Sequence, residues 1–245
     1  MCIITGSNSG IGKETAIALA RMGAKIVMVV RDQERGEKAR TEMVKQTGNS
    51  FVDLMICDLS SMDSIRKFAE EFKKKYDRLD VLINNAGASF SKRELTSEGF
   101  ERNFAVNYLG PFLLTHELLD LLKSSAPSRI INVSSGLAKN GKIDLDDLQG
   151  EKNCTGTKFY SPSRAPGYDN AKLMLMMFTY ELATRLKGSG VTVNVLMPGF
   201  TATNLGKGSG SLSSHIMFKM VRPMQQSAKK GAERRRRPRP RNPRP

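Results

Sequence analysis

Met1-Cys-Ile-Ile-Thr5 runs straight into Gly6-Ser-Asn-Ser-Gly10-Ile-Gly12 and then into Lys13-Glu-Thr-Ala-Ile-Ala-Leu-Ala-Arg21. The first five residues read as a short apolar strand, the three glycines as a turn, and the remainder carries helical spacing. A strand, a glycine turn and a helix in that order aim bare backbone N–H groups and the positive end of a helix at one spot, where a pyrophosphate can sit. The spacing is G-x-x-x-G-x-G rather than G-x-G-x-x-G, and a plain strand-to-helix turn asks for the same residues.

Outward from that segment, apolar runs and charged amphipathic stretches alternate. Lys25–Val30, Phe51–Cys57, Val81–Ile83, Arg129–Val133 and Val191–Leu196 read as further strands, with helices near 32–47, 61–76, 97–123 and 168–187 between them. Six strands separated by helices predict an α/β fold, a doubly wound parallel sheet of the Rossmann type covered on both faces. In such sheets ligands bind outside the carboxyl ends of the strands, so the informative residues are those just after each apolar run.

A chain of 245 residues with 39% hydrophobic content is long enough for one well-buried domain, expected over residues 1–233. No stretch approaches ~18 consecutive apolar residues and no basic leader precedes the first strand, which gives the expectation of a cytoplasmic protein with no transmembrane segment. Cys2, Cys57 and Cys154 lie far apart and only His116 and His215 add imidazoles, so neither a disulfide framework nor a metal site is expected. The formal charge of +15 is unevenly spread: Lys229–Pro245 holds nine of the 39 basic residues and one of the 24 acidic ones. A run of Arg and Pro with no apolar residue beyond Ala232 cannot bury anything, and residues 234–245 are expected to be a disordered tail with no specific nucleic-acid partner.

The strand ends carry unusual polar residues. Arg31 follows the second strand 19 residues after Gly12, where an acidic side chain would accept from the ribose 2′-OH of NAD(H). A guanidinium there suits the 2′-phosphate of NADP(H) instead, with Arg35 as help, which makes NAD(H) the less favoured cofactor; pairing with Asp32 or Glu34 is the plain alternative. Asp58 ends the third strand and Asn84-Asn-Ala-Gly87 the fourth, where a loop cap and an Asn turn are the plain readings. Ser134-Ser135 follows the fifth strand. Tyr168 opens a helical stretch with Lys172 four residues on, hence on the same face. An ammonium beside a phenol favours the phenolate and brings an ordinary pKa near 10 toward the working range, making an acid/base unit, although a surface helix pair has the same spacing.

Taken together, the glycine motif, Asn84–Gly87, Asn107 in Val-Asn-Tyr-Leu-Gly, Ser135, Tyr168, Lys172 and the Pro198-Gly199 pair resemble the short-chain dehydrogenase/reductase family in order, from Met1 to about Glu233. Val30-Arg31-Asp32 and the 32 residues between Ser135 and Tyr168, including Lys142–Gln149, resemble its retinol-dehydrogenase-like group. The resemblance implies Tyr168 as the general acid in reduction, Lys172 as ribose ligand and lowerer of the tyrosine pKa, Ser135 as orienter of the substrate oxygen and Asn107 as holder of a relay water. It further implies that Gly6, Ser7, Asn8, Ser9, Gly10, Ile11 and Gly12 cradle the cofactor, that Asp58 and Leu59 meet the adenine, that Asn85, Ala86 and Gly87 line the cofactor, and that Pro198, Gly199, Thr201 and Thr203 cover the nicotinamide.

The small-molecule partner implied is an apolar aldehyde, ketone or alcohol. Two departures stand out. Met1 lies inside the first strand, and the resemblance stops where Arg234-Arg-Arg-Arg-Pro begins, so a C-terminal edge strand, and with it part of the usual oligomer interface, is expected to be missing through truncation or a shifted reading frame. The rival to an enzyme is a catalytically weak nucleotide-binding protein with a basic tail.

Overall fold

Six strands form one parallel sheet among the residues that the computed structural model describes, 1–90, 92–152 and 166–198. They are β1 (Cys2–Thr5), β2 (Ile26–Val30), β3 (Val52–Ile56), β4 (Val81–Asn84), β5 (Ser128–Val133) and β6 (Val191–Leu196), in the spatial order β3-β2-β1-β4-β5-β6. The order reverses between β1 and β4, which opens a crevice beyond their carboxyl ends. Every expected strand is present within a residue or two. The expected tail, the missing edge strand and Cys154 fall outside the described residues.

The sheet separates two apolar layers. Ile3, Val27, Leu82 and Ile130 face Phe68 and Phe72 of α3 (Met62–Lys75), Leu114 of α5 (Gly110–Glu117), and Leu175 and Phe178 of α7 (Pro166–Arg185). Ile4, Met28, Ile83 and Val133 face Ala16 and Ile17 of α1 (Gly10–Ala20) and Met43 of α2 (Gln33–Thr47). Neighbours such as Ile3 and Ile4 therefore point to opposite layers, and strands buried on both faces read as unbroken apolar runs. Capping sets the helix starts: Asp32 accepts from Arg35 N–H at 3.0 Å and Ser61 from Ser64 N–H at 3.3 Å. Cys2 and Cys57 are buried free thiols; burial raises both, Cys57 to about 12. No helix among the described residues is long and apolar enough to cross a membrane.

The stretch 97–123, expected as one helical run, is broken three times. An antiparallel bridge between Leu95 and Glu101 closes a turn, in which Gly99 N–H donates to the Thr96 carbonyl at 3.0 Å, before Glu101 caps α4 (Arg102–Phe104). A π-helical turn, Ala105–Leu109, separates α4 from α5, with Gly110 N–H reaching back to the Ala105 carbonyl. The cause is Pro111: it has no N–H to give and its ring crowds the carbonyl four residues back, that of Asn107, so the preceding turn widens. At Leu118 the backbone turns to φ −103°, ψ 2° and a second short helix, α6 (Leu119–Ser124), begins.

Buried polar side chains stitch the sheet to its helices next to the crevice. Asn84 Nδ2 donates to Asn132 Oδ1 on β5 at 2.8 Å and to Thr115 Oγ1 on α5 at 2.9 Å, and Asn132 Nδ2 donates to Thr179 Oγ1 on α7 at 2.9 Å. Asn84 is thus a strand-to-strand tie rather than a turn residue. Asn132→Ala leaves buried groups at both ends without this partner and is expected to lower stability by about 1–3 kcal/mol, read as an earlier urea midpoint; an unchanged midpoint contradicts the tie.

Candidate active site

The turn after β1 and the loop after β4 lie against each other, and small residues permit it. Gly6 has φ +65°, and a Cβ on it would stand 3.0 Å from Ala86 Cα; a Cβ on Gly12 would run into Asn85 Nδ2 and the Gly6 carbonyl. Thr5 locks the pair together. Its buried hydroxyl accepts from the N–H groups of Asn85 and Ala86, both at 2.9 Å, and Asn85 Nδ2 donates to the Thr5 carbonyl at 2.9 Å. Ser9 caps α1 by backbone alone, no acidic residue sits in the helix's first turn, and the buried Ser7 Oγ has no hydrogen-bond partner among the described residues. A helix end with unneutralised N–H groups and an orphaned hydroxyl beside it fits the pyrophosphate of a dinucleotide. Asn8, Ser9, Gly10 and Ile11 complete the half-exposed rim of that turn.

Across the crevice, α7 delivers Tyr168 and Lys172, each 3% exposed. Lys172 Nζ donates to the Val133 carbonyl at 3.0 Å and lies 5.8 Å from the centre of the Tyr168 ring. Burial lowers the lysine from 10.5 to about 8. Asn107, fully buried in the π turn, accepts from Ala88 N–H at 3.2 Å and donates to the Ala88 and Asn103 carbonyls at 2.8 and 3.0 Å. Lys172 Nζ and Asn107 Oδ1 converge on Gly87: a Cβ there would stand 3.2 and 3.0 Å from them. Of the two serines, Ser134 spends its hydroxyl on the Lys172 carbonyl at 2.8 Å, whereas Ser135 is half-buried at the start of a 3₁₀ turn and accepts from Leu137 N–H at 3.2 Å.

The structure therefore brings Asn107, Ser135, Tyr168 and Lys172 to the same sheet edge as the glycine turn. Arg31 is exposed at the end of β2 and has no ion-pair partner among the described residues, while Asp32 is occupied as a helix cap, so the plain pairing alternative is not what the fold makes. Asp58 does what a loop cap does: Oδ1 accepts from Ser60 N–H at 2.9 Å and Ser60 Oγ at 2.7 Å. Leu59 is buried beside it, and Pro198 follows β6, half-buried. Gly199, Thr201 and Thr203 lie outside the described residues. Sequence reasoning missed the tie made by Thr5 and the buried carboxyl of Glu101 at the head of the Asn107 helix. A hydroxyl at a strand's last buried position, and an acid three residues before a helical run, were the available signals.

A model of the short chain dehydrogenase family matches residues 1–145, and the chain belongs to that family. Within it the chain falls in the retinol-dehydrogenase-like group: it is 48% identical over 208 residues to retinol dehydrogenase 13 of Homo sapiens, a match that covers 85% of this chain and 61% of that protein. Against retinol dehydrogenase 12 of Mus musculus it is 42% identical over 231 residues, 94% of this chain and 70% of that one. The chain spans 61% of the length of the human and 64% of the mouse retinol dehydrogenase 13. A short-chain dehydrogenase from Sphingobium yanoikuyae in complex with NADPH superposes at a TM-score of 0.73 and 22% identity over 95% of this chain and 80% of that one. An alcohol dehydrogenase from Thermococcus sibiricus complexed with 5-hydroxy-NADP does so at 0.70 and 23%, over 96% and 88%. At these identities the likeness carries the fold.

Burial of the Lys172 ammonium has a measurable consequence. Below about pH 8 the folded lysine is held charged against its surroundings, while in the unfolded chain it keeps its proton to about 10.5. Between those values the unfolded state binds more protons, so stability rises with pH. Lys172→Met, similar in length and uncharged, is expected to raise the stability of the ligand-free protein at pH 6.5 by about 1–3 kcal/mol, with the gain shrinking from pH 8 to 10. A gain that does not change with pH contradicts the assignment.

Proposed function

We propose that the chain is an NADP(H)-dependent oxidoreductase that interconverts a carbonyl and an alcohol on an apolar substrate, such as a retinoid-like or aliphatic aldehyde. The observation that carries this reading is the convergence of Lys172 Nζ and Asn107 Oδ1 on Gly87, beside a buried Tyr168 and across the crevice from an anion-ready glycine turn. A binding module needs the turn but not the buried lysine, whose charge costs stability.

In this reading the backbone N–H groups from Gly6 to Gly12 and the start of α1 hold the pyrophosphate, Arg31 takes the 2′-phosphate, and Asp58 and Leu59 border the adenine. Asn85, Ala86 and Gly87 line the cofactor's path, and Pro198 covers its nicotinamide end together with Gly199, Thr201 and Thr203. The nicotinamide, when bound, supplies or accepts the hydride. Tyr168 gives its phenolic proton to the carbonyl oxygen as the carbon receives the hydride; in the reverse direction its phenolate takes the alcohol proton. Lys172 holds the ribose hydroxyls and stabilises the phenolate that remains. Ser135 Oγ holds the substrate oxygen, and its present acceptor role toward Leu137 N–H leaves its proton for that bond. Asn107 holds the water of the relay; its side chain is anchored to Ala88 and Asn103, and Pro111, four residues on, offers no N–H to its main-chain carbonyl.

Tyr168→Phe keeps the ring and removes the oxygen. Its kcat for NADPH-dependent aldehyde reduction is expected to fall at least about a hundredfold with NADPH affinity unchanged; retention of more than a tenth of the rate removes Tyr168 from the acid role. For the cofactor, Arg31→Ala is expected to raise the KM for NADPH about tenfold or more and that for NADH less than twofold, the difference one charge-assisted phosphate contact makes. Equal shifts would show that Arg31 is only a strand-end charge.

A further inference from the structure

Among the described residues only two charged side chains are buried, Lys172 and, at 4% exposure, Glu101. Glu101 lies outside the constellation assigned above, and removing a carboxylate from water is costly unless its oxygens find donors. Both do. Oε1 accepts from Asn103 Nδ2 at 2.9 Å, and Oε2 accepts from the Phe104 N–H at 2.8 Å, capping the helix that leads into the π turn. An amide in its place would turn an NH₂ donor toward one of these donors, so the capping of two N–H groups at once asks for an acid.

Three segments of the site meet on this residue, two at its carboxyl group and one at its main-chain N–H. Asn103 clasps the loop after Gly87, exchanging hydrogen bonds with Phe90 N–H at 3.0 Å and the Phe90 carbonyl at 3.1 Å, and its own carbonyl receives Asn107 Nδ2 at 3.0 Å. On the α7 side, a Cβ on Gly167 would stand 2.9 Å from Glu101 Oε2, so the first turn of the Tyr168 helix rests against the carboxyl group. From the third direction, Glu101 N–H donates to Gln149 Oε1 at 2.9 Å, and Arg93 braces the same loop through the Gln149 carbonyl at 3.4 Å and Glu151 at 3.3 Å. The loop near 142–152 is also fixed to α7 by Lys142 N–H donating to Asn170 Oδ1 at 2.8 Å.

We propose that Glu101 is a positioning residue: its buried carboxyl group sets the Asn107 turn and the Tyr168 helix start relative to one another, and so sets the geometry of proton transfer. The proposal rests on the functional reading above for its effect on rate, and on geometry alone for its effect on the two segments. Glu101→Gln retains the volume and loses one acceptor. It is expected to lower kcat for NADPH-dependent aldehyde reduction at least about tenfold, since ångström-scale misplacement costs one to two orders of magnitude, while the NADPH dissociation constant stays within about twofold.

The pairing with α7 is tested by a cycle. Gly167→Ala alone should lower kcat about tenfold by pushing Oε2 away, whereas on a Glu101→Ala background, with the carboxyl gone and only the 3.2 Å approach to Asn103 Cβ left, the same change should lower kcat less than about threefold. Amide exchange measured on the cofactor-free protein should rise in Glu101→Gln over 103–109 and 167–172 together and stay unchanged in α1, α2 and 143–152, the last being held by a main-chain N–H that the substitution keeps. Exchange that rises in one segment only, additive effects in the cycle, or a Glu101→Gln kcat within twofold of the unchanged protein each overturn the proposal. Absence of turnover by the unchanged protein with every carbonyl tried overturns the functional reading instead, and the exchange pattern then decides the role of Glu101 by itself.

Discussion

Burial of the Lys172 ammonium is the constraint around which the strand ends are arranged. Its hydrogen bond to the Val133 carbonyl, 3.0 Å long, replaces part of the lost hydration. Gly87 leaves room for it where any other residue would press a Cβ to 3.2 Å from Nζ. In return, a cation away from water acts on nearby oxygens with far less screening than it would at the surface. The same burial that weakens the fold therefore gives the site its capacity to hold a phenolate, a trade of stability for function.

The precision of the site comes from the sheet. β1, β4 and β5 run parallel in fixed register, with Ile4 beside Ile83 and Asn84 beside Asn132, so the residues that leave their carboxyl ends start from a rigid edge. Thr5 then passes that register to the Asn85–Gly87 loop through its hydroxyl, and the Asn84–Asn132–Thr179 chain passes it to α7. Each functional segment is thereby held by a buried hydrogen bond to the sheet or, through Glu101, to its neighbour.

Much of this was legible in the sequence because it rests on local pattern. The strands appear as apolar runs, the turn as glycines, and the Tyr168–Lys172 spacing as one helix face. The choice of Ser135 over Ser134 came from resemblance, and its physical reason, the occupation of the Ser134 hydroxyl by the Lys172 carbonyl, needs a contact between residues 38 positions apart. Long-range contacts hid the rest. Residues 97–123 look like one amphipathic helix because their apolar spacing continues across the breaks, while Pro111 acts on the carbonyl of Asn107 only in three dimensions. Glu101 looks like one more surface acid in a charged chain until Asn103, Gly167 and Gln149 close over it. Asp58 went the other way, since its visible role as a cap for Ser60 is the plain one.

The central claim is that these strand ends move a hydride and a proton between a nicotinamide and a carbonyl. The direct measurement is isotope transfer: NADPH carrying deuterium at C4 of the reduced ring, as either stereoisomer, is incubated with the protein and an apolar aldehyde, and the alcohol is analysed by mass spectrometry. The account predicts one carbon-bound deuterium per molecule of alcohol with one of the two stereoisomers, at a rate that vanishes when Tyr168 is replaced by Phe. Alcohol formed without deuterium from either stereoisomer, or no alcohol formed from any carbonyl while NADPH binds, would contradict it.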